Sequence, residues 1–341
     1  METSDKPIVV SVPEPRSIDL IFSDKKKVEL FSTYDVVETT AADLPTLSPE
    51  ILRKVRYVIG QPPLKISTLR KMPNLKCIFN VEGNFLNNMP YDYLFEKGVH
   101  AVTTSNAFSE PVAEMGLALA LCSLRGIVPA SLDFAAGTEV YGKMGNINSK
   151  KLFHTTVGII GFGDIGQKLA QLLRGFKTNI LVFDPWLPQL LLSHHEVCQT
   201  SLDDLMSKSD VIFVLAAVTT ENFELLDSSM FLRMKKGSLL ILLSRSDIVN
   251  FDDLVAAVSS GHIRVASDVY PEEPMPKKHP IRKLAGFLNS AHRAGSLPST
   301  YKEMGELLLE DMKLIDNGLP PRCCKRAERE TVSKMRSRPV V

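Results

Sequence analysis

The chain has 341 residues, of which 44% are hydrophobic and 23% charged, and its 40 basic and 39 acidic side chains leave a net charge of +1. This length exceeds the usual limit of one hydrophobic core, so two domains are expected. The near-average composition excludes collagenous, disordered and disulfide-scaffold proteins. The near-neutral charge argues against nucleic acid as a main partner.

The first part of the chain, residues 1–108, carries four short β-rich runs separated by helix-like intervals. The runs cover residues 9–12, 55–60, 76–81 and 99–103. This alternation predicts a small α/β domain. A hinge is expected near Ser109, and the following residues 111–124 are apolar on nearly all sides, as in a helix buried between domains or subunits.

The second part, residues 109–297, has the more regular pattern. Each apolar run is separated from the next by the length of one helix and two loops; the runs begin near Val157, Ile180, Val211, Leu239, Ile263 and Phe287. Continuous apolar strands that alternate with helices indicate a parallel sheet covered on both faces. The pattern therefore predicts a Rossmann-type, doubly wound domain.

The chain ends with one helical pattern and a basic segment. A helix over roughly residues 299–315 is expected to return to the first domain within residues 298–318. Residues 319–341 contain seven Lys or Arg, two Glu and the pair Pro320-Pro321, which predicts a mobile, solvated tail.

The cysteines and the apolar runs bear on location. The five cysteines are scattered and none has the spacing of a metal site, so we expect reduced thiols, a cytoplasmic protein and no metal. No apolar signal segment follows the N-terminal methionine. Apolar runs such as residues 211–218 are too short to cross a bilayer, so no membrane partner is expected.

A glycine-rich loop, residues 161–166, follows the strand at Val157 and opens a predicted helix. In such a loop the first glycine permits a tight turn, the second lets the backbone approach a pyrophosphate, and the third allows close packing of helix on strand. The alternative is a turn that only connects strand to helix. The predicted dinucleotide contacts are Gly161, Gly163, Asp164, Ile165 and Gly166.

Asp184 closes the next predicted strand, about 20 residues after the loop. A carboxylate at this place accepts hydrogen bonds from ribose hydroxyls and repels a 2′-phosphate. We therefore predict NAD as the cofactor, in preference to NADP.

Three polar residues follow the carboxyl ends of later predicted strands: Arg245, Glu273 and His292. Ligands of open α/β sheets bind at that edge, so these residues are expected to converge. An arginine that binds a carboxylate, a histidine that exchanges a proton and an acid that holds the histidine suit oxidoreduction of a 2-hydroxy acid. Taken singly, a residue of each of these kinds is more often an ordinary surface or polar residue.

The sequence resembles the NAD-dependent, D-isomer-specific 2-hydroxyacid dehydrogenases over nearly its whole length. The segments that carry the resemblance are VGIIGFGDIG, MKKGSLLILLSRSDIVNFDDLVAAVSSG, VASDVYPEEPMPKKHP and NSAHRAG. The resemblance implies that Arg245 binds substrate, that His292 is the acid-base residue and that Glu273 is its partner. It also implies that Asp268 contacts the nicotinamide end of the cofactor.

Further implications concern the first domain and the assembly. The segment VEGNF resembles the family's substrate loop, whose backbone N–H groups hold the substrate carboxylate, and this singles out Glu82, Gly83 and Asn84. The family fold implies a discontinuous, flavodoxin-like substrate domain beside the cofactor domain. The family also forms homodimers through the helix at residues 111–124 and the segment after it.

The expected activity is oxidoreduction between NAD(H) and a small 2-hydroxy or 2-oxo acid, as in a glyoxylate or hydroxypyruvate reductase. The alternative is an NAD-sensing, dimeric interaction module like the C-terminal binding proteins, which keep the same three polar residues. The chain departs from the family at Ser246 and Asp247, which follow the arginine, and at Ala291, where the family has proline.

Overall fold

The computed structural model describes residues 6–336 and divides them into two compact units. The first unit joins the chain up to Phe108 with the chain from Ser296 onward. The second unit is the continuous segment Ser109–Gly295. The chain therefore leaves the first unit next to the residue where the sequence predicts a hinge.

The N-terminal part of the first unit alternates strands and helices. Its strands are β1 (Ile8–Ser11), β2 (Asp35–Glu38), β3 (Val55–Ile59), β4 (Cys77–Asn80) and β5 (His100–Thr103). Its α-helices are α1 (Ile18–Ile21), α2 (Asp24–Thr33), α3 (Pro49–Lys54), α4 (Ile66–Leu69) and α5 (Tyr91–Glu96).

The second unit is a doubly wound α/β domain. Its strands are β6 (Thr156–Ile160), β7 (Asn179–Phe183), β8 (Cys198–Gln199), β9 (Val211–Val214), β10 (Leu239–Leu242), β11 (Arg264–Ser267) and β12 (Phe287–Asn289). Its helices are α6 (Ser109–Arg125), α7 (Ile127–Ala136), α8 (Gly142–Gly145), α9 (Asp164–Leu173), α10 (Gln189–Ser193), α11 (Leu202–Lys208), α12 (Ser228–Arg233) and α13 (Phe251–Ser259).

All strands of this second sheet run parallel, in the order β12-β11-β10-β9-β6-β7-β8. The order reverses between β6 and β9, and such a switch point is where doubly wound sheets bind ligands. The predicted Rossmann-type architecture is thus confirmed.

The chain then returns to the first unit through α14 (Pro298–Asp316), β13 (Lys325–Arg326) and α15 (Arg329–Val332). The first sheet has the order β13-β5-β4-β3-β1-β2, with β13 antiparallel to β5 and the other pairs parallel. The order of β1 to β5 is that of flavodoxin-like folds. The predicted class of the first domain is also confirmed.

The prediction of a mobile tail was wrong for residues 319–336. The carboxylate of Asp311, which is fully buried on α14, accepts the backbone N–H groups of Arg322, Cys323 and Cys324 at 2.6, 2.8 and 2.8 Å. Ala327 and Cys324 are buried as well. The hydrogen bonds to the buried carboxylate and the burial of apolar side chains thus hold the segment in place, although it is rich in positive charge. Residues 337–341 lie outside the described part of the chain.

Helix α6 belongs to the core of the second unit, where it packs against α9, β10 and β11. The helical stretch Ser105–Arg125 has 21 residues and is apolar enough to span a membrane by length and composition alone. The expectation that no segment reaches that length was therefore wrong. A helix in the core of a domain can also meet this criterion of length and composition. The packing of α6 against α9 and the sheet is that of a core helix.

Candidate active site

The glycine-rich loop forms the turn between β6 and α9, as predicted. Gly161 adopts φ +87°, and a Cβ atom there would lie 2.5 Å from Cα of Ala216. A Cβ at Gly166 would lie 2.8 Å from the carbonyl oxygen of Gly161. Both positions therefore require glycine. Helix α9 begins at Asp164, and the first turn of a helix has backbone N–H groups that attract phosphate.

Asp184 lies directly after β7 and lines a cavity of about 350 Å³. Its Oδ2 accepts the backbone N–H of Phe162, in the glycine-rich loop, at 2.8 Å, and its Oδ1 accepts the backbone N–H of Trp186 at 3.0 Å. These bonds fix the carboxylate next to the loop. The other residues lining the cavity are uncharged: Phe183, Pro185, Gln189, Gln199 and Thr200.

Glu273 and His292 form a close pair in the second unit. Nδ1 of His292 lies 2.5 Å from Oε2 of Glu273, and both side chains are about one quarter exposed. The other oxygen, Oε1, accepts the backbone N–H of Tyr270 at 2.8 Å. Burial raises the pKa of the Glu273 carboxyl. This effect of burial is outweighed by the hydrogen bonds from His292 and Tyr270 and by the nearby positive charge of Arg245. The pKa of the Glu273 carboxyl is therefore below its usual value.

The loop that carries His292 is fixed by Asp268, which is buried at the end of β11. Asp268 accepts the backbone N–H of Arg293 on Oδ1 at 3.1 Å and that of Ala294 on Oδ2 at 2.9 Å. His292 itself has φ +47°, in the left-handed region. The family resemblance implies that Asp268 contacts the cofactor, which stays a prediction; in this structure its carboxylate accepts two N–H groups of the histidine loop.

Arg245 follows β10 and is half-buried. Its Nη1 donates to the carbonyl oxygen of Ser244 at 2.6 Å, and its charge acts on Glu273. The structure therefore brings together the three polar residues predicted from the strand ends. A cation, a carboxylate and an imidazole at one sheet edge are suited to binding and protonating an anionic carbonyl compound.

In the first unit, the substrate loop, residues Val81 to Phe85, follows β4. Among residues 6–336, no protein acceptor takes the backbone N–H of Gly83 or of Asn84. The backbone N–H of Glu82, by contrast, donates to Oδ1 of Asn80 at 2.7 Å. A side chain on the preceding strand thus occupies the N–H of Glu82, and a role of Glu82 in substrate binding stays a prediction.

Sequence reasoning also missed Arg16, which contacts the substrate loop. Its Nη1 donates to the carbonyl oxygen of Val81 at 2.6 Å and lies 2.8 Å from Oε1 of Glu82. The guanidinium also lies 5.5 Å from the ring centres of Phe108 and Tyr301. The contact spans more than 60 positions of sequence, so no local pattern predicts it.

Comparison with known proteins places this site in a family. A sequence model described as "D-isomer specific 2-hydroxyacid dehydrogenase, NAD binding domain" matches residues 117–294. The chain belongs to the D-isomer specific 2-hydroxyacid dehydrogenases. It is therefore an NAD-dependent oxidoreductase that acts on CH–OH donors, and the predicted family, enzyme class and cofactor are confirmed.

Two curated relatives illustrate the breadth of the D-isomer specific 2-hydroxyacid dehydrogenases. Glyoxylate reductase from Thermofilum pendens is 28% identical over 84% of this chain and 87% of its own length. D-3-phosphoglycerate dehydrogenase from Methanocaldococcus jannaschii is 27% identical over 79% of this chain. The chain spans about half, 52%, of that longer protein.

A solved structure is considerably more similar. The crystal structure of a phosphoglycerate oxidoreductase from Rhizobium etli is 54% identical to this chain and superimposes with a TM-score of 0.88. The match covers 96% of this chain and all of the other one. The fold described above is therefore also found experimentally in a relative with the same extent of chain.

Proposed function

We propose that this dehydrogenase interconverts a small 2-oxo acid and the corresponding D-2-hydroxy acid, with NADH as the preferred reductant. The observation that carries the proposal is the 2.5 Å contact between Nδ1 of His292 and Oε2 of Glu273. A carboxylate with a lowered pKa stays ionised at neutral pH and stabilises the protonated imidazole. Nε2 is then the ring atom that gives a proton to the substrate oxygen in reduction and takes it back in oxidation.

The chain fits the cofactor by its shape as well as by its family. A side chain at Gly161 would collide with Ala216, so glycine is required for the tight turn that a dinucleotide-binding loop makes after its strand. Asp184 is fixed beside the loop and lines a cavity in which we place the adenosine ribose. When bound, NAD(H) supplies or accepts the hydride at its nicotinamide ring.

Arg245 orients the substrate in this proposal. A guanidinium offers two parallel N–H donors to a carboxylate, which fixes the C2 carbonyl relative to His292. The same cation polarises the carbonyl oxygen on which negative charge develops during reduction. In the first unit, we propose that the N–H groups of Gly83 and Asn84, which no described protein acceptor takes, also bind a substrate carboxylate.

The names of the relatives suggest the acids to test first. Glyoxylate is the substrate in the name of the Thermofilum pendens relative, and phosphoglycerate is that in the name of the Rhizobium etli relative. We propose that the substrate is a short, polar acid such as glyoxylate, hydroxypyruvate or its 3-phosphate.

A substrate panel tests this assignment. Oxidation of NADH is followed with glyoxylate, hydroxypyruvate, 3-phosphohydroxypyruvate, pyruvate and phenylpyruvate, and kcat/KM is compared. We expect the short polar acids to exceed phenylpyruvate by about tenfold or more, since a pocket lined by donors discriminates by hydrogen bonding. Tight NADH binding without turnover of any acid contradicts the proposal and favours the interaction-module alternative.

We also propose a cytoplasmic homodimer. Helix α7 has no buried residue, and apolar side chains on it are exposed, namely Ile127 (50%), Leu132 (66%) and Phe134 (66%). An exposed apolar patch of this kind supports an interface with a second copy. The five unpaired cysteines support a reducing compartment. Light scattering on the wild type and on Leu132→Glu tests the dimer, which the charged variant should weaken.

A further inference from the structure

The substrate loop carries an acidic side chain next to the N–H groups that are proposed to receive an anion. Glu82 precedes Gly83, so the two Cα atoms are about 3.8 Å apart. Its side chain is only 7% exposed and is therefore poorly screened by solvent. An unpaired carboxylate at this place repels a carboxylate substrate.

Arg16 is the cation that faces this acid. Nη1 of Arg16 lies 2.8 Å from Oε1 of Glu82, and the arginine side chain is only 10% exposed. The same nitrogen donates to the carbonyl oxygen of Val81, the first residue of the loop. One guanidinium thus contacts both the charge and the backbone of the loop.

The arginine is itself held in place from its other sides. Its guanidinium carbon lies 5.5 Å from the ring centre of Phe108, and at the same distance from that of Tyr301 on α14. Contacts with two aromatic rings restrict the rotation of the side chain. Arg16 is therefore a fixed support for the loop and not a surface cation.

The remaining contacts of the loop are made by neutral groups. Asn80 accepts the N–H of Glu82 and donates its Nδ2 to the carbonyl oxygen of Asn84 at 2.8 Å. The hydroxyl of Thr103 donates to the carbonyl oxygen of Glu82. Among the side chains that the structure describes around the loop, Arg16 supplies the positive charge against Glu82.

We propose that Arg16 is a positioning residue for substrate binding: it cancels the charge of Glu82 and fixes the loop so that the Gly83 and Asn84 N–H groups receive the substrate carboxylate. This inference rests on the proposed function. An ion pair that served stability alone would not need to lie on this loop. The pair makes the loop electrically neutral, so that the contribution of the loop itself to anion binding comes from the two backbone donors.

The test is a double-mutant cycle that compares the wild type, Arg16→Met, Glu82→Gln and the double variant. KM for the best 2-oxo acid, kcat and the Kd of NADH are measured for each, together with Tm. Arg16→Lys adds a variant that keeps the charge and loses the fork geometry. Arg56→Met is the matched control, because Arg56 pairs with Asp316 at 2.6 Å in the same unit, away from the loop.

In Arg16→Met, KM should rise roughly tenfold or more while the Kd of NADH stays within about twofold, since Glu82 is then unpaired. Glu82→Gln in the same background should restore most of the loss in KM, because the repelling charge is gone. Arg16→Lys should lie between the wild type and Arg16→Met. Arg56→Met should change Tm and leave KM unaltered.

Two results overturn the inference. One is an unchanged KM in folded Arg16→Met. The other is a KM that is raised equally in Arg16→Met and in the double variant. Removal of the Glu82 charge would then have no effect, so Arg16 would not act by compensating that charge. If Arg16→Met does not fold, the double variant and Arg16→Lys decide in the same way. Failure of the proposed function is recognised separately, because the wild type then turns over no acid.

Discussion

The backbone N–H of His292 donates to the carbonyl oxygen of Asp268 at 2.8 Å. Together with the two N–H groups that the Asp268 carboxylate accepts, this bond holds three consecutive residues of the histidine loop. The ring is held independently by Glu273. The departure at Ala291, where the family has proline, therefore does not leave the histidine loosely placed, since hydrogen bonds supply the restraint.

His292→Ala should lower kcat by about 10² to 10⁴, the usual contribution of general acid-base catalysis. The Kd of NADH, measured by fluorescence titration, should stay within about twofold. Since the loop is held through its backbone, Tm should fall little. A variant that retains near-wild-type turnover would make His292 a structural residue.

Glu273→Gln tests the pH dependence of the ion pair. A carboxyl whose pKa is lowered on folding stabilises the folded state above its ordinary pKa of about 4.5, and this stabilisation is lost as the pH falls through the lowered value. The difference in Tm between wild type and variant should therefore shrink as the pH falls below about 4.5. A difference that grows as the pH falls through that range contradicts this sign.

Arg245→Lys should raise KM strongly although it conserves the charge, because lysine lacks the fork geometry that binds a carboxylate in two places. kcat should fall too, since the cation also polarises the carbonyl. Steady-state kinetics on the best acid checks both parameters. An unaltered kcat/KM would mean that Arg245 is not the carboxylate anchor.

Asp184→Ala should narrow the preference for NADH over NADPH, mainly by improving the binding of NADPH, because the repulsion of the 2′-phosphate is removed. Titration with both cofactors gives the two Kd values. Asp203→Ala, at an exposed position of the same unit, is the control. Equal binding of NADPH and NADH by the wild type would contradict the role of Asp184 in selecting NADH.

Asp311→Ala should release the C-terminal segment. Three backbone N–H groups lose their acceptor inside the protein, which costs roughly 3 kcal/mol or more. Trypsin should then cleave quickly after Arg322, Lys325 and Arg326, with a lower Tm. Glu310→Ala, whose half-exposed side chain lies on the same helix, serves as the control and should leave cleavage slow.

Most strands that the sequence predicts are largely apolar and lie inside a sheet, as β6 and β9 do, so their hydrophobicity marks them in the sequence. β12 is an exception, since it is an edge strand with one buried residue, Phe287. β2 was missed because, as an edge strand, it has no buried residue. β8 was missed because it has only two residues, both exposed.

Some residues of the candidate site could be predicted from the sequence and others could not. The positions of Arg245, Glu273 and His292 could be predicted from the order of the elements, since each lies in the loop that follows an apolar run. The position of Arg16 could not, because its partner Val81 lies 65 positions away in sequence. The contacts of the Glu82 and Asp268 side chains could not be predicted either, because the folded chain decides which N–H groups lie next to each carboxylate.

The discontinuity of the first unit has a consequence for synthesis on the ribosome. The second unit is one uninterrupted stretch, whereas the first needs α14 to cover its sheet and β13 to pair with β5. Since chains emerge from the N-terminus, the second unit is complete while the first still presents apolar side chains of β1, β3 and β4 to solvent. Strands β1 to β5, which are translated before the second unit, thus reach their final environment after it, and chaperones have longer access to them.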